Sequence, residues 1–221
     1  MEIKIINFKS EPRNNPFAPE WNYFIFESEL HNVNFKKLTK FILKKEKEIL
    51  KLPPTIKVGK FSDGYTGLGQ KSTTARFEEY NVLKWDTVEI KTLKKQIINF
   101  HNLILNKCKL PLVKELYIQC WMNVMRKGET IKLHLHSVQP DCYLGGHICV
   151  QVHNTSTHYI NPINQINDPD IFSSKNTIGK ITMFQNNIPH CTDTQNENKE
   201  RITVAFDLSL HKLNENYIRL I

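Results

Sequence analysis

Long apolar runs are missing from the sequence. Nothing approaches the roughly 20 consecutive residues that a membrane-spanning helix needs. No hydrophobic core of signal-peptide type precedes a cleavage site either. Paired cysteines are also missing: Cys108, Cys120, Cys142, Cys149 and Cys191 are odd in number, and none follows C-x-x-C spacing. That pattern argues against a disulfide framework and a structural zinc site, and favours a reducing compartment. A cytoplasmic protein with no membrane partner is expected. Of only eight glycines, four (Gly59, Gly64, Gly67 and Gly69) fall in one stretch, which marks that stretch as irregular.

What is present suits a globular chain. With 221 residues, 40% of them hydrophobic and 24% charged, the length allows one domain (1–221) with a substantial core. The formal charge of +8 invites a nucleic-acid partner. Lysine, asparagine and isoleucine are abundant everywhere, however, so lysines on solvated helix faces explain the charge better than a dedicated basic groove. Nucleic acid is a possible but not a favoured partner.

Two β-like runs, Ile3 to Phe8 and Trp21 to Phe26, flank a turn rich in Pro and Asn and can add strands to one edge of a sheet. Asn34 is a good N-cap for a helix from Phe35 to Leu50, with Leu38, Phe41, Ile42 and Ile49 on one side and lysines on the other. Pro53-Pro54 stops it. Residues 55 to 85 are irregular, and such a long Gly-rich connection suggests a mobile lid or binding loop over about 55 to 80. Within it, Gly64 to Ser72 comes within one residue of a phosphate-binding loop. The extra Gln70 separates Lys71 from the last glycine, so cradle and ammonium would not meet one phosphate. A second helix starts near Asp86 and Glu89 and runs to Cys108 on Ile90, Leu93, Ile97, Phe100 and Ile104. His101 falls off that stripe and is expected at the surface. The first 112 residues thus hold edge strands, two supporting helices and the Gly-rich loop.

From about residue 113 to 210 the pattern becomes short strands separated by turns, as in a sandwich or barrel. Leu116 to Val124 and Thr130 to His136 alternate, Gly145-Gly146 opens His147 to Val152, and further runs cover Ile178 to Phe184 and Arg201 to Leu208. Asn154 to Asn176 reads as a loop with at most one strand. On a strand Thr130 to His136, His134 and His136 share one face while Leu135 packs behind them. With His190 from a distant strand they form a three-imidazole set on one side of a metal, leaving the other side open. His147, His153 and His158 are ordinary strand or surface histidines, although His147 can reach the site from a neighbouring strand. Cys191 points to the other face.

The segment from about Tyr117 to Leu208 resembles the double-stranded β-helix core of the 2-oxoglutarate and Fe(II) dependent oxygenases, most of all the small viral and phage members. The residues that carry the resemblance are His134-x-His136, His190 after Gly179 to Phe184, Arg201-x-Thr203, and the Trp121-Met122-Asn123 strand. The resemblance implies a mainly β jelly roll with flanking helices, and a dioxygenase, most simply a hydroxylase, that takes Fe(II), 2-oxoglutarate and O2. It would work in the cytoplasm, the host's if viral. It makes His134, His136 and His190 the metal ligands. Arg201 would pair with the distal carboxylate of the oxo acid through two hydrogen bonds, helped by Thr203 on the same face. Asn123 or Tyr117 would hydrogen-bond the oxo acid near the metal. The substrate is unknown: protein side chains, nucleobases and small molecules all remain open.

One position departs from the common pattern. Where Asp or Glu is usual, this chain has His136. His136 can be a third ligand, or stand behind a water, or give way to Asp141 from the following loop. Two other readings compete with the first: a cupin-like three-histidine dioxygenase that does not use 2-oxoglutarate, and a β-barrel without catalysis that binds a partner or builds a structure.

Overall fold

The computed structural model of the protein describes residues 2–55, 63, 65–163 and 169–221. Strands β1 (Lys4–Lys9) and β2 (Asn22–Glu29) precede helix α1 (Phe35–Ile49) and helix α2 (Val88–Lys107). Then follow β3 (Tyr117–Met125), β4 (Leu144–Gln151), β5 (Ser156–Ile160), β6 (Ile171–Lys175), β7 (Lys180–Gln185), β8 (His190–Thr192), β9 (Arg201–Ser209) and β10 (Ile218–Arg219). A seven-stranded antiparallel sheet has the order β1-β2-β7-β4-β9-β3-β10, and a smaller one the order β6-β5-β8. The architecture is the mainly β jelly roll with two helices, and the two N-terminal strands do extend one edge of the larger sheet.

Strand parity explains how one sheet serves two purposes. On β9, Ile202, Val204, Phe206 and Leu208 join Leu38 and Ile42 of α1 and Leu93, Ile97 and Phe100 of α2 in one buried core. The other parity of β9, Arg201, Thr203, Ala205 and Asp207, lines an internal cavity. The helices therefore buttress the outside of the larger sheet, and the face they leave free looks inward. A second core of Phe8, Ile25, Tyr159, Phe184 and Ile188 fills the space toward the smaller sheet.

Caps set the helix starts. Asn34 accepts from the Lys37 amide at 3.0 Å, as its side chain predicts. At α2 the cap is Thr87, which accepts from the Ile90 amide at 3.2 Å. Asp86 stands one residue outside the helix and pairs with Lys91 at 2.6 Å in solvent. His101 is fully buried, against expectation, and its Nε2 lies 2.8 Å from the Tyr143 hydroxyl. A hydroxyl arriving from the residue just before β4 lets a histidine sit where the apolar stripe alone would exclude it.

Three further expectations change. Thr130 to His136 is not a regular strand, because its backbone bonds go to several segments. Lys132 donates to Thr66, His134 exchanges both bonds with His190, and His136 donates to Asn186. Leu133 and Leu135 do not pack behind the histidines but stand 52% and 39% exposed. The stretch 154 to 176 contains two strands, β5 and β6, rather than at most one. Of the connection expected to form a lid over about 55 to 80, residues 56–62 and 64 lie outside the described residues. Its second half is anchored by buried Arg76, which donates to the carbonyls of Leu52, Gln70 and Ser72. The Gly69 amide, in the stretch that approaches a phosphate-binding loop, donates to the Asp63 carboxylate at 2.8 Å.

Candidate metal centre

His134, His136 and His190 meet at the mouth of the cavity. His190 begins β8, and its main chain exchanges hydrogen bonds of 3.1 and 2.8 Å with that of His134. Two residues on, the His136 amide donates to the Asn186 carbonyl at 2.9 Å. These bonds bring the ring centroids to 4.3 Å for His134 and His190, 5.0 Å for His136 and His190, and 5.7 Å for His134 and His136. One ring nitrogen from each lies within 4.8 Å of the other two, a spacing that can hold a metal ion.

The outward nitrogens fix the tautomers. His134 Nδ1 lies 2.8 Å from the Lys132 carbonyl oxygen and His190 Nδ1 3.0 Å from that of Ile188. His136 Nδ1 lies 2.5 Å from Asp207 Oδ1. All three partners accept, so each Nδ1 is the donor, which leaves Nε2 as the ligating nitrogen. Burial holds His134 down to about 4, with the neighbouring His136 adding to the effect. It pushes His190 well below the ordinary imidazole range, with His134 and His136 again contributing. His134 and His190 are therefore neutral at pH 7, as metal ligation requires. Three imidazoles on one side suit a divalent first-row metal such as Fe(II), so the donor set fits the ion that the resemblance implies.

Deeper in the cavity of about 780 Å³ stands Arg201. Its side chain is 1% exposed, Nη1 reaches the Met125 sulfur at 3.2 Å, and Nε has no hydrogen-bond partner among the described residues. Burial lowers the pKa of the guanidinium, which nevertheless stays charged at neutral pH. A buried cation with no ion-pair partner among the described residues is costly, and an anionic ligand would complete it. Thr203 lies on the same strand face. Asn123, directly across from it on β3, donates to the Thr203 hydroxyl at 3.4 Å and accepts from Thr74 at 2.6 Å. These groups suit the distal carboxylate of a 2-oxo diacid.

Other expected residues lie elsewhere. Tyr117 sits at the far end of β3, pairs with Ser209 and does not line the cavity; its hydroxyl is 3.5 Å from Glu115. Asp141 is exposed and also outside the lining. Two further residues line the cavity: His147, which the sequence allowed to reach it from a neighbouring strand, and Asp207, which sequence reasoning missed. His147, on β4, is buried, its Nε2 has no hydrogen-bond partner among the described residues, and burial, helped by Arg201, takes it down to about 3. Asp207 lies on the inward parity of β9, and that parity, continued from Arg201 and Thr203, was the available signal.

No family model matches the chain, and no curated protein matches it in sequence. Solved structures match in fold. A prolyl-4-hydroxylase from Pseudomonas putida superposes with a TM-score of 0.52 at 10% identity, over 85% of this chain and 88% of its own. The epimerase SnoN, in complex with Fe3+, alpha ketoglutarate and nogalamycin RO, gives 0.53 at 7% identity over 89% and 94%. A 2OG-Fe(II) oxygenase family oxidoreductase from Burkholderia pseudomallei is 24% identical, but only over 44% of this chain. The match spans 46% of that protein, with a TM-score of 0.36, too partial to define a shared architecture. At these identities the likeness is one of fold.

Proposed function

We propose that the protein is a non-haem Fe(II) and 2-oxoglutarate dependent dioxygenase, a hydroxylase of the superfamily that its motifs resemble. One observation carries the reading: three imidazoles, each with its Nδ1 taken by an acceptor, converge in the same cavity as a buried guanidinium that has no ion-pair partner among the described residues. His134, His136 and His190 would hold the iron through Nε2. Arg201 would clamp the distal carboxylate of the oxo acid, with Thr203 and Asn123 beside it. Bound iron and 2-oxoglutarate supply oxygen activation, coupling decarboxylation of the oxo acid to succinate with oxidation of a substrate C–H bond. The chain's own part is to orient and to exclude water. Phe77, Trp121, Leu133 and Leu135 line the cavity and present an apolar wall to the substrate.

That wall, together with the acidic Asp63 and Glu78 in the same lining, favours an apolar peptide side chain or small molecule over a polyanion. The affiliation with small viral and phage members, and a cytoplasmic place of action, belong to the same proposal; no helix among the described residues is long and apolar enough to cross a membrane.

Anaerobic addition of Fe(II) and then 2-oxoglutarate should produce the visible charge-transfer band of the chelate. His134→Ala and His190→Ala should abolish both the band and iron-dependent succinate formation. Wild-type succinate production by either variant would refute the assignment. Three histidines without a carboxylate also fit a cupin-like dioxygenase that needs no oxo acid. Oxygen consumption indifferent to 2-oxoglutarate would favour that enzyme, whereas the buried Arg201, without an ion-pair partner among the described residues, favours the first.

A further inference from the structure

The three imidazoles are not held alike. His134 and His190 rest their Nδ1 atoms on main-chain carbonyls, whereas His136 meets the Asp207 carboxylate at 2.5 Å. The His136 side chain is 8% exposed and that of Asp207 19%, so the pair is largely withdrawn from water and its charge is poorly screened. The surroundings fix it further. Gly145 pairs with Asp207 across β4 and β9, and a Cβ at Gly145 would come within 2.7 Å of His136 Nδ1. Phe184 meets the His136 ring edge-on at 5.5 Å, and Trp121 flanks it at 5.9 Å. A glycine that makes room for one nitrogen, opposite the carboxylate that binds it, is a built arrangement.

A facial set of two histidines and a carboxylate places one negative charge on its metal; three neutral imidazoles place none. We propose, on the reading of the site given above, that Asp207 is a positioning residue that returns this charge through His136. Its carboxylate locks the ring with Nε2 inward and draws the Nδ1 proton toward itself, which makes His136 a stronger donor than the other two. The carboxylate missing from the ligand position is then one atom layer further out, on a different strand. A carboxylate behind a ligating histidine raises ligand basicity and orients the ring, and its loss typically weakens metal binding 10- to 100-fold, by about that range.

The test compares variants of the full chain with Fe(II) as the probe, by anaerobic competition titration, and with the Fe(III)/Fe(II) potential as second readout. Asp207→Asn should lose about 10- to 100-fold in Fe(II) affinity and shift the potential upward, because Fe(III) loses more than Fe(II). Asp207→Glu should recover a large part of both. Asp207→Gln against Asp207→Glu compares side chains of equal length that differ in charge, so a gap between them survives any general effect on folding. Equal Fe(II) affinity and equal potential across that pair, with tight wild-type binding, would overturn the role of Asp207 and leave the metal centre standing. Failure of the wild type itself to bind Fe(II) would overturn the centre, and Asp207 with it.

Discussion

Arg201 is the residue at which the needs of folding and of ligand binding part company. A guanidinium 1% exposed, with Nε unpartnered among the described residues, costs the ligand-free protein stability that a bound anion would restore. Arg201→Met, of similar volume, should therefore raise the stability of the ligand-free chain by on the order of 1 kcal/mol. The same change should weaken 2-oxoglutarate binding by roughly 10- to 100-fold, the worth of a charged, two-pronged hydrogen bond. Thermal melts with and without the oxo acid measure both. At this scale the sequence was informative wherever order and spacing combined: His134-x-His136, His190 and Arg201-x-Thr203 come together as their pattern suggests. It was silent on Asp207, and it granted His147 no more than reach from a neighbouring strand, because a lone acid or imidazole within a strand has no signature until its cross-strand neighbours are known. Tyr117 was misplaced because parity gives the face of a strand but not the distance along it: the cavity lies at the other end of β3.

Elements were legible in proportion to their periodicity. Both helices lie within a residue or two of their expected bounds, since a cap and an apolar stripe are local signals. The stretch from Thr130 to His136 alternates like a strand, yet its amides answer to Thr66, His190 and Asn186 in turn, and no local pattern encodes three separate partners. Pairing at the centre of the larger sheet is tighter. β4 lies between β7 and β9, and a Cβ at Gly146 would meet the Phe206 ring at 2.5 Å and the Thr182 carbonyl oxygen at 2.6 Å. Gly146→Ala should thus lower stability by about 1–3 kcal/mol, the usual cost of overpacking a core that cannot shift its backbone. Urea unfolding followed by circular dichroism tests it, and an unchanged midpoint would show that β4 and β7 can move apart.

For the whole molecule, several histidines are held neutral by burial. His147 is taken down to about 3 and His134 to about 4, while His101 and His190 are lowered as well. In the unfolded chain these rings protonate near the ordinary value of about 6.5. Between the folded and unfolded values the unfolded state binds more protons, so acid favours unfolding. Stability of the metal-free protein should rise with pH from about 3 to 6.5 and level off above. The urea midpoint should be distinctly lower at pH 5 than at pH 7.5, and His147→Gln should flatten that slope.

The reciprocal bonds between His134 and His190 join the irregular segment before β4 to the short strand β8 of the smaller sheet, while His136 is tied through Asp207 to β9 of the larger one. An ion gripped by all three rings would act as a rivet through both walls of the fold at its open rim. Binding that ion would add its own free energy to the hold between the two sheets, and each loss of affinity would subtract from it.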